Sequence, residues 1–433
     1  MAASRNKLVP ERSGAIGKPS HELVSPESAS TRIDAALYRF FASRLITGAR
    51  VCVALSGGRD SIVLLHALCR MRAAGTLDAD LSAIHVHHAL SPNADHWAEF
   101  CAEFCQRHSL SLAIVRVAVA RDSSEGLEAA ARRARHAAFA TCSADWLALA
   151  QHRDDQAETV LLNLLRGAGV AGAAGMLPER PQAAGPLLVR PLLDVPRRLL
   201  EDYANEQGLA WIDDESNDDL HFRRNFLRRA ILPQLEDHFP GARKSLARAA
   251  GHFAEGQALL DDLARLDRDR LLAPSGRIAL VGFNMLSSES PARARNLSRL
   301  MWIDAGFRAP DTRWIDEALA QLATAGTCSE MCMATADGEL RVYRGELYFL
   351  LAHRPQPEPS AVTWNGEPEL PWAGGSVRFV PVVGAGMRRD LAPAGEVCVR
   401  ARQGGERLRP DARRPRRSLR NLLQEAAIPP WER

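Results

Sequence analysis

The apolar run Val51–Leu55 stops at Ser56-Gly57-Gly58-Arg59-Asp60-Ser61, and the apolar residues that follow, Ile62, Leu65, Leu68 and Cys69, recur at helical spacing. A short, branched apolar run is what a buried strand needs, whereas the later spacing lays an apolar stripe along a helix. Six residues therefore turn the chain from a strand into a helix N-terminus. Gly57 and Gly58 lack a Cβ, so backbone can approach a phosphate closely and φ can turn positive. Ser56 and Ser61 add hydroxyls, and the N–H groups of a first helical turn carry positive potential. The whole stretch Ser56–Ser61, Arg59 included, is the candidate phosphate site. Asp60 would repel a phosphate unless a cation stood between them, so it points to Mg2+. A Gly-Gly turn with an aspartate cap is the plainer reading of six residues alone. The strand before and the helix after favour phosphate.

The same alternation extends along the chain. Strand-like runs at 51–55, 81–86, 112–119 and 146–150 are separated by helical stretches at 61–73, 94–107, 127–140 and 154–166. This pattern predicts an α/β fold with a doubly wound parallel sheet, whose ligand site lies beyond the carboxyl ends of the strands. From about 224 to 325 the strands give way to amphipathic helices, and 339–351 alternates around Arg344-Gly345 as a hairpin does. A Pro-rich connector is read over 353–371, followed by short strand-like pieces and a basic tail that predict a small C-terminal α+β domain. The boundaries read this way are an N-terminal extension over 1–33, a catalytic domain over 34–232, a helical domain over 233–352, the linker, and a basic domain over 372–433.

Composition narrows the chemistry. No apolar run approaches the roughly 20 residues of a membrane span, and the polar N-terminus lacks a secretory apolar region. Eight scattered cysteines suit reduced thiols, so a cytoplasmic location without membrane partners is expected. Cys101/Cys105 and Cys328/Cys332 are spaced by one helical turn and read as thiols packed in helices. Only Lys7, Lys18 and Lys244 are lysines, so between them no Walker-type lysine grips a nucleotide at the Gly-Gly turn. An amine nucleophile must arrive with the substrate.

At 148–176 the string ALAQHRDDQAETVLLNLLRGAGVAGAAGM runs from a strand end into a helix. Asp155 and Glu158 share one helical face, where they could hold Mg2+ or position an amine; an acidic capping box from Asp155 to Glu158 is the plainer alternative. Taken with SGGRDS, the string is very similar to the signature of the tRNA(Ile)-lysidine synthase family, within the N-type ATP pyrophosphatases. GLEAAARRARHAAF (126–139), Arg190-Pro-Leu-Leu193, WIDDESNDDLHFRRNFLRRAILPQLE (211–236) and IHVHHALS (84–91) resemble further elements of that family. Gln151, His136, Ala89 and Ser91 depart from it, and the last strand of the family's C-terminal module is expected to be missing.

The resemblance implies ATP and Mg2+ as cofactors, with free L-lysine and the CAU-anticodon tRNA(Ile) as partners. It leaves a homodimer open. Ser56–Ser61 would hold ATP with His85 near the adenosine, and Asp60 and Asp155 would hold Mg2+. Asp60, Arg132, Asp155, Glu158 and Arg224 would be catalytic. The helical and basic domains would bind the rest of the tRNA; ten arginines against four acids from Val399 onward supply a phosphate footprint. Two other readings are set aside. Cytidine thiolases of tRNA carry a CxxC pair, which this chain lacks, and a non-enzymatic RNA-binding protein would not need intact SGGRDS and DDQAET strings.

Overall fold

A computed structural model describes residues 27–44, 47–119, 126–182, 184–213, 219, 222–326, 331–352, 361–372, 375–384, 397–409 and 415–432. The chain divides into two compact units, one ending at Ala258 and the other beginning at Leu259.

The first unit is built on a six-stranded sheet. Its strands are β1 (Ala49–Ala54), β2 (Ala79–His87), β3 (Ser111–Arg116), β4 (Trp146–Ala148), β5 (Glu179–Arg180) and β6 (Leu187–Val189), in the order β3-β2-β1-β4-β6-β5. All neighbours pair in parallel except β5, which runs antiparallel to β6 at the edge. The expected doubly wound sheet is therefore present. The winding reverses between β1 and β4, and that reversal opens a crevice at the carboxyl ends of both strands. Ser56 and Gln151 follow their strands into it.

The helices of this unit are α1 (Ala29–Phe41), α2 (Arg59–Ala73), α3 (Ala94–Arg107), α4 (Leu127–Ala140), α5 (Arg153–Leu165), α6 (Val170–Ala173) and α7 (Arg197–Glu206). Val51, Val53 and Leu55 pack with Ile33 and Leu37 of α1, the apolar face of α2, and Leu200 and Tyr203 of α7. Cys52 faces the other way, with Ile84, Leu147 and Phe139 of α4. Helices on both faces explain why β1 reads as an unbroken apolar run. Burying each such aliphatic side chain contributes about 2 kcal/mol. After α7 come α8 (Arg223–Phe226), a π-helical turn (Leu227–Ile231), α9 (Leu232–His238) and α10 (Ala242–Leu271), which runs past the unit boundary.

Several elements differ from the reading of the sequence. Helix α1 starts at Ala29, inside the stretch read as an extension, because Ser28 caps it by accepting from the Thr31 N–H at 3.1 Å. Strands β3 and β4 are shorter than 112–119 and 146–150, and β5 and β6 were not expected. Runs of two or three residues are too short to show alternation.

The second unit joins α11 (Leu280–Glu289), α12 (Pro291–Asp304) and α13 (Thr312–Thr324) to a three-stranded sheet, β7 (Cys332–Ala334), β8 (Gly338–Tyr343) and β9 (Glu346–Leu351). Its core closes around fully buried Trp302, whose ring meets Phe307, Trp314 and Phe349 edge-on at 5.2–5.7 Å. The hairpin turns at Arg344 and Gly345, both at positive φ, with Tyr343 opposite Glu346. Cys332 lies exposed on β7, which corrects its reading as a helical thiol; Cys328 lies outside the described residues. Strands β10 (Val362–Trp364) and β11 (Glu369–Trp372) correct the connector read over 353–371, most of whose described part they occupy. They pair with β13 (Val397–Val399) and β12 (Gly375–Arg378) respectively. Strands β14 (Arg407–Leu408) and β15 (Arg417–Ser418) precede α14 (Leu419–Glu425), and Trp431 beyond it packs on the rings of Tyr343 and Tyr348.

Candidate active site

The turn after β1 is shaped by its own side chains. Gly57 has φ +87°, and a Cβ there would stand 2.6 Å from Ile212 Cδ1. The Ile212 N–H donates to the Gly57 carbonyl at 3.0 Å, so the segment beyond α7 straps the turn down. Ser61 is buried and donates to the Gly58 carbonyl at 2.8 Å, while Ser56 Oγ accepts from the Gly58 N–H. Both hydroxyls thus hold the turn in shape. The N–H groups of Gly57, Arg59 and Asp60 have no partner among the described residues. Three donors at a helix start form a place for an anion.

Asp60 sits in the first turn of α2. Its Oδ1 accepts from Arg59 Nε and Nη2, each at 3.1 Å, and its Oδ2 lies 3.4 Å from His152 Nε2. Burial pushes this carboxyl up, but the hydrogen bond and charge of His152, then the Arg59 guanidinium, outweigh it and bring it down to about 2. Asp60 is ionised at neutral pH.

His152 is the cap of α5. Its Nδ1 accepts from the Asp155 N–H at 3.4 Å, and Asp155 Oδ2 accepts from the His152 N–H at 3.1 Å. The capping box is therefore His152–Asp155, which corrects the expectation of a box from Asp155 to Glu158. His152 Nε2 is 3.5 Å from Asp155 Oδ2, so the Asp60 and Asp155 carboxylates converge on one imidazole nitrogen. Burial lowers the His152 pKa, but Asp155, Asp60 and Asp154 together raise it above the ordinary value. A sequence scan passes over this residue because histidine is not among the favoured N-caps. Its place immediately before two aspartates was the available signal.

Glu158 is 1% exposed and both of its oxygens are taken. Arg224 Nε donates to Oε2 at 3.0 Å, and Arg228 donates to Oε1 at 2.6 Å and Oε2 at 3.0 Å. Arg224 also reaches Thr159 Oγ1, and Arg228 reaches Asp155 Oδ1 at 3.2 Å. Glu158, expected to be catalytic, is thus held between two guanidinium groups. Glu158 positions Arg224 and Arg228. Asp154 is likewise spent, accepting from the Arg197 N–H at 2.9 Å and pairing with Arg243.

Three more expected residues have their side chains engaged or placed as follows. Arg59 folds back on Asp60 and Glu201. His85 is 4% exposed and donates from Nδ1 to the Leu55 carbonyl at 2.9 Å, so it supports the strand end beneath the turn. Arg132 lies exposed on α4, where its charge acts on His136 and Arg190. Asp214, Ser216 and Asn217 lie outside the described residues.

Asp60, ionised, and Asp155 are the two carboxylates here that could share a Mg2+ ion with substrate phosphates. Among the described residues no larger group of metal-ligating side chains is present, and no helix is long and apolar enough to cross a membrane.

Known proteins are similar to this chain over most of its length. The PP-loop domain model covers residues 29–235, the TilS substrate binding domain 284–348, and the TilS substrate C-terminal domain 397–433. A tRNA(Ile)-lysidine synthase of Aromatoleum aromaticum is 45% identical over 395 residues, covering 89% of this chain and 88% of that protein. The chain belongs to the tRNA(Ile)-lysidine synthase family. A second tRNA(Ile)-lysidine synthase, from Nitrosomonas europaea, is 41% identical over 391 residues, covering 89% of this chain and 84% of its own. Among solved structures, a U34-tRNA thiolase of Methanococcus maripaludis aligns with a TM-score of 0.44 at 18% identity, over 52% of this chain and 79% of that one. Against the tRNA(Ile)-lysidine synthase signature, the departure at Gln151 has a visible use: its side chain accepts from Arg190.

Proposed function

We propose that the chain carries out the family's ligation, joining free L-lysine to C2 of the wobble cytidine, position 34, of the CAU-anticodon tRNA(Ile). The C2 carbonyl oxygen attacks the α-phosphorus of ATP and pyrophosphate leaves. The lysine ε-amine then attacks C2, losing a proton, and AMP departs with the oxygen. The observation that carries this reading is the convergence of Asp60 and Asp155 on His152 beside three amides, at the start of α2, that have no partner among the described residues.

In this reading the amides of Gly57, Arg59 and Asp60 receive the triphosphate. Asp60 and Asp155 would hold Mg2+, which screens phosphate charge when bound. His152 keeps the two carboxylates at their spacing. Arg224 and Arg228, fixed by Glu158, each keep Nη1 uncommitted among the described residues and direct it at charge developing on the cytidine or phosphate. The wobble base is unstacked in its loop and so accessible to a protein. The helical and C-terminal domains hold the rest of the tRNA, in the cytoplasm.

The test is mass analysis of tRNA(Ile) transcript incubated with ATP, Mg2+ and isotopically labelled lysine. The label is expected on cytidine 34 alone; a label on any other base, or none, overturns the assignment.

A further inference from the structure

Arg190 follows β6 and is 4% exposed. Its Nε donates to Gln151 Oε1, and its Nη1 donates to the Leu177 carbonyl at 2.6 Å. Both acceptors are neutral, so they fix the guanidinium without cancelling its charge. Among the described residues Nη2 has no partner and no carboxylate pairs with Arg190. Glu158, the buried carboxylate of the same unit, is by contrast held by two arginines.

Among the described residues, the charges that act on Arg190 share its sign. Burial, then the guanidinium groups of Arg180 and Arg132, push it down to about 10. Burial, followed by Arg180, Arg132, Arg135 and Arg190, pushes His136 down to about 4, and His136 Nδ1 is a buried atom without a hydrogen bond among the described residues. A buried cation with no carboxylate partner among the described residues is unfavourable in the protein alone and is relieved when an anion enters.

We propose that Arg190, with the exposed Arg132 and Arg180, forms a phosphate site separate from the turn at Ser56–Ser61. A guanidinium fixed at two nitrogens presents the remainder of its planar fork to phosphate oxygens. Arg132 and Arg180 are exposed, so the site opens outward as a polymer requires, which favours an RNA phosphodiester over a nucleotide phosphate. Gln151 directly precedes His152, so the phosphate is held one residue from the network that contains Asp60. Only the identity of the RNA rests on the proposed ligation.

Gln151→Glu tests the site by giving Arg190 an internal counter-charge. Its affinity for a CAU-anticodon tRNA(Ile) transcript, followed by fluorescence anisotropy over a salt series, is expected to fall about tenfold, with the slope of log K against log salt reduced by about one. ATP affinity is expected to stay unchanged. Loss of ATP affinity with intact tRNA binding keeps the phosphate site but assigns it to the nucleotide. Arg180→Ala, on the exposed edge strand, is expected to weaken the same ligand without unfolding the protein. Unchanged affinity for both ligands in both variants overturns the proposal. Pyrophosphate release by the unaltered protein is measured alongside: its absence would sink the ligation and leave the binding result readable.

Discussion

At the start of α2 three amides stand without partners among the described residues, whereas at the start of α5 the His152–Asp155 box closes the turn on itself. Both helices begin at the same crevice and both carry acids in their first turn. The open end can receive a ligand. The closed end holds carboxylates still and passes their charge on to Arg224 and Arg228. Catalysis and stability should therefore separate between the two ends.

The largest effect is expected at the open end. Asp60→Asn keeps the shape and removes the charge; pyrophosphate release should fall about 1000-fold, or about 4 kcal/mol. The tRNA affinity of this variant, followed by anisotropy, should hold within a few-fold. An equal loss in both would mean that α2 is not the nucleotide end. Next comes Glu158→Gln at the closed end, which leaves two arginines facing a neutral amide. Urea denaturation should show a loss of about 3 kcal/mol with an unchanged m-value. If stability survives, the closed end is not where the fold is held.

The smallest effect sharpens the contrast. His152→Ala removes the cap and should cost about 1 kcal/mol, while His152→Asn supplies another good N-cap and should restore most of it. Pyrophosphate release should stay slow in both, because neither replacement reaches Asp60 as the imidazole does. Recovery of rate in the asparagine variant would show that the bridge between the helices is not used.

What could be read in the sequence follows this division. The open end is local: strand, two glycines and helix lie within residues 49–73, and their periods show. The closed end is not. Glu158 meets Arg224 and Arg228 across 66 and 70 residues of chain, and no spacing rule reaches that far. The side chain of Arg59 is equally out of reach of any spacing rule, its partner Glu201 lying 142 residues away. The sheet was legible where its strands run five residues or more. It was invisible in β5 and β6, where there is too little chain for a pattern.

Gln151 and His152 are adjacent, yet one side chain reaches Arg190 and the other reaches Asp60. Strand β4, only three residues long and pinned by Ala148 opposite Val53 and Val189, decides which goes where. Inserting a single residue after Ala148 would shift both by one place, moving Gln151 into the post of His152 and His152 into the first turn of α5. Such a frame slip should therefore do more harm than deleting either side chain.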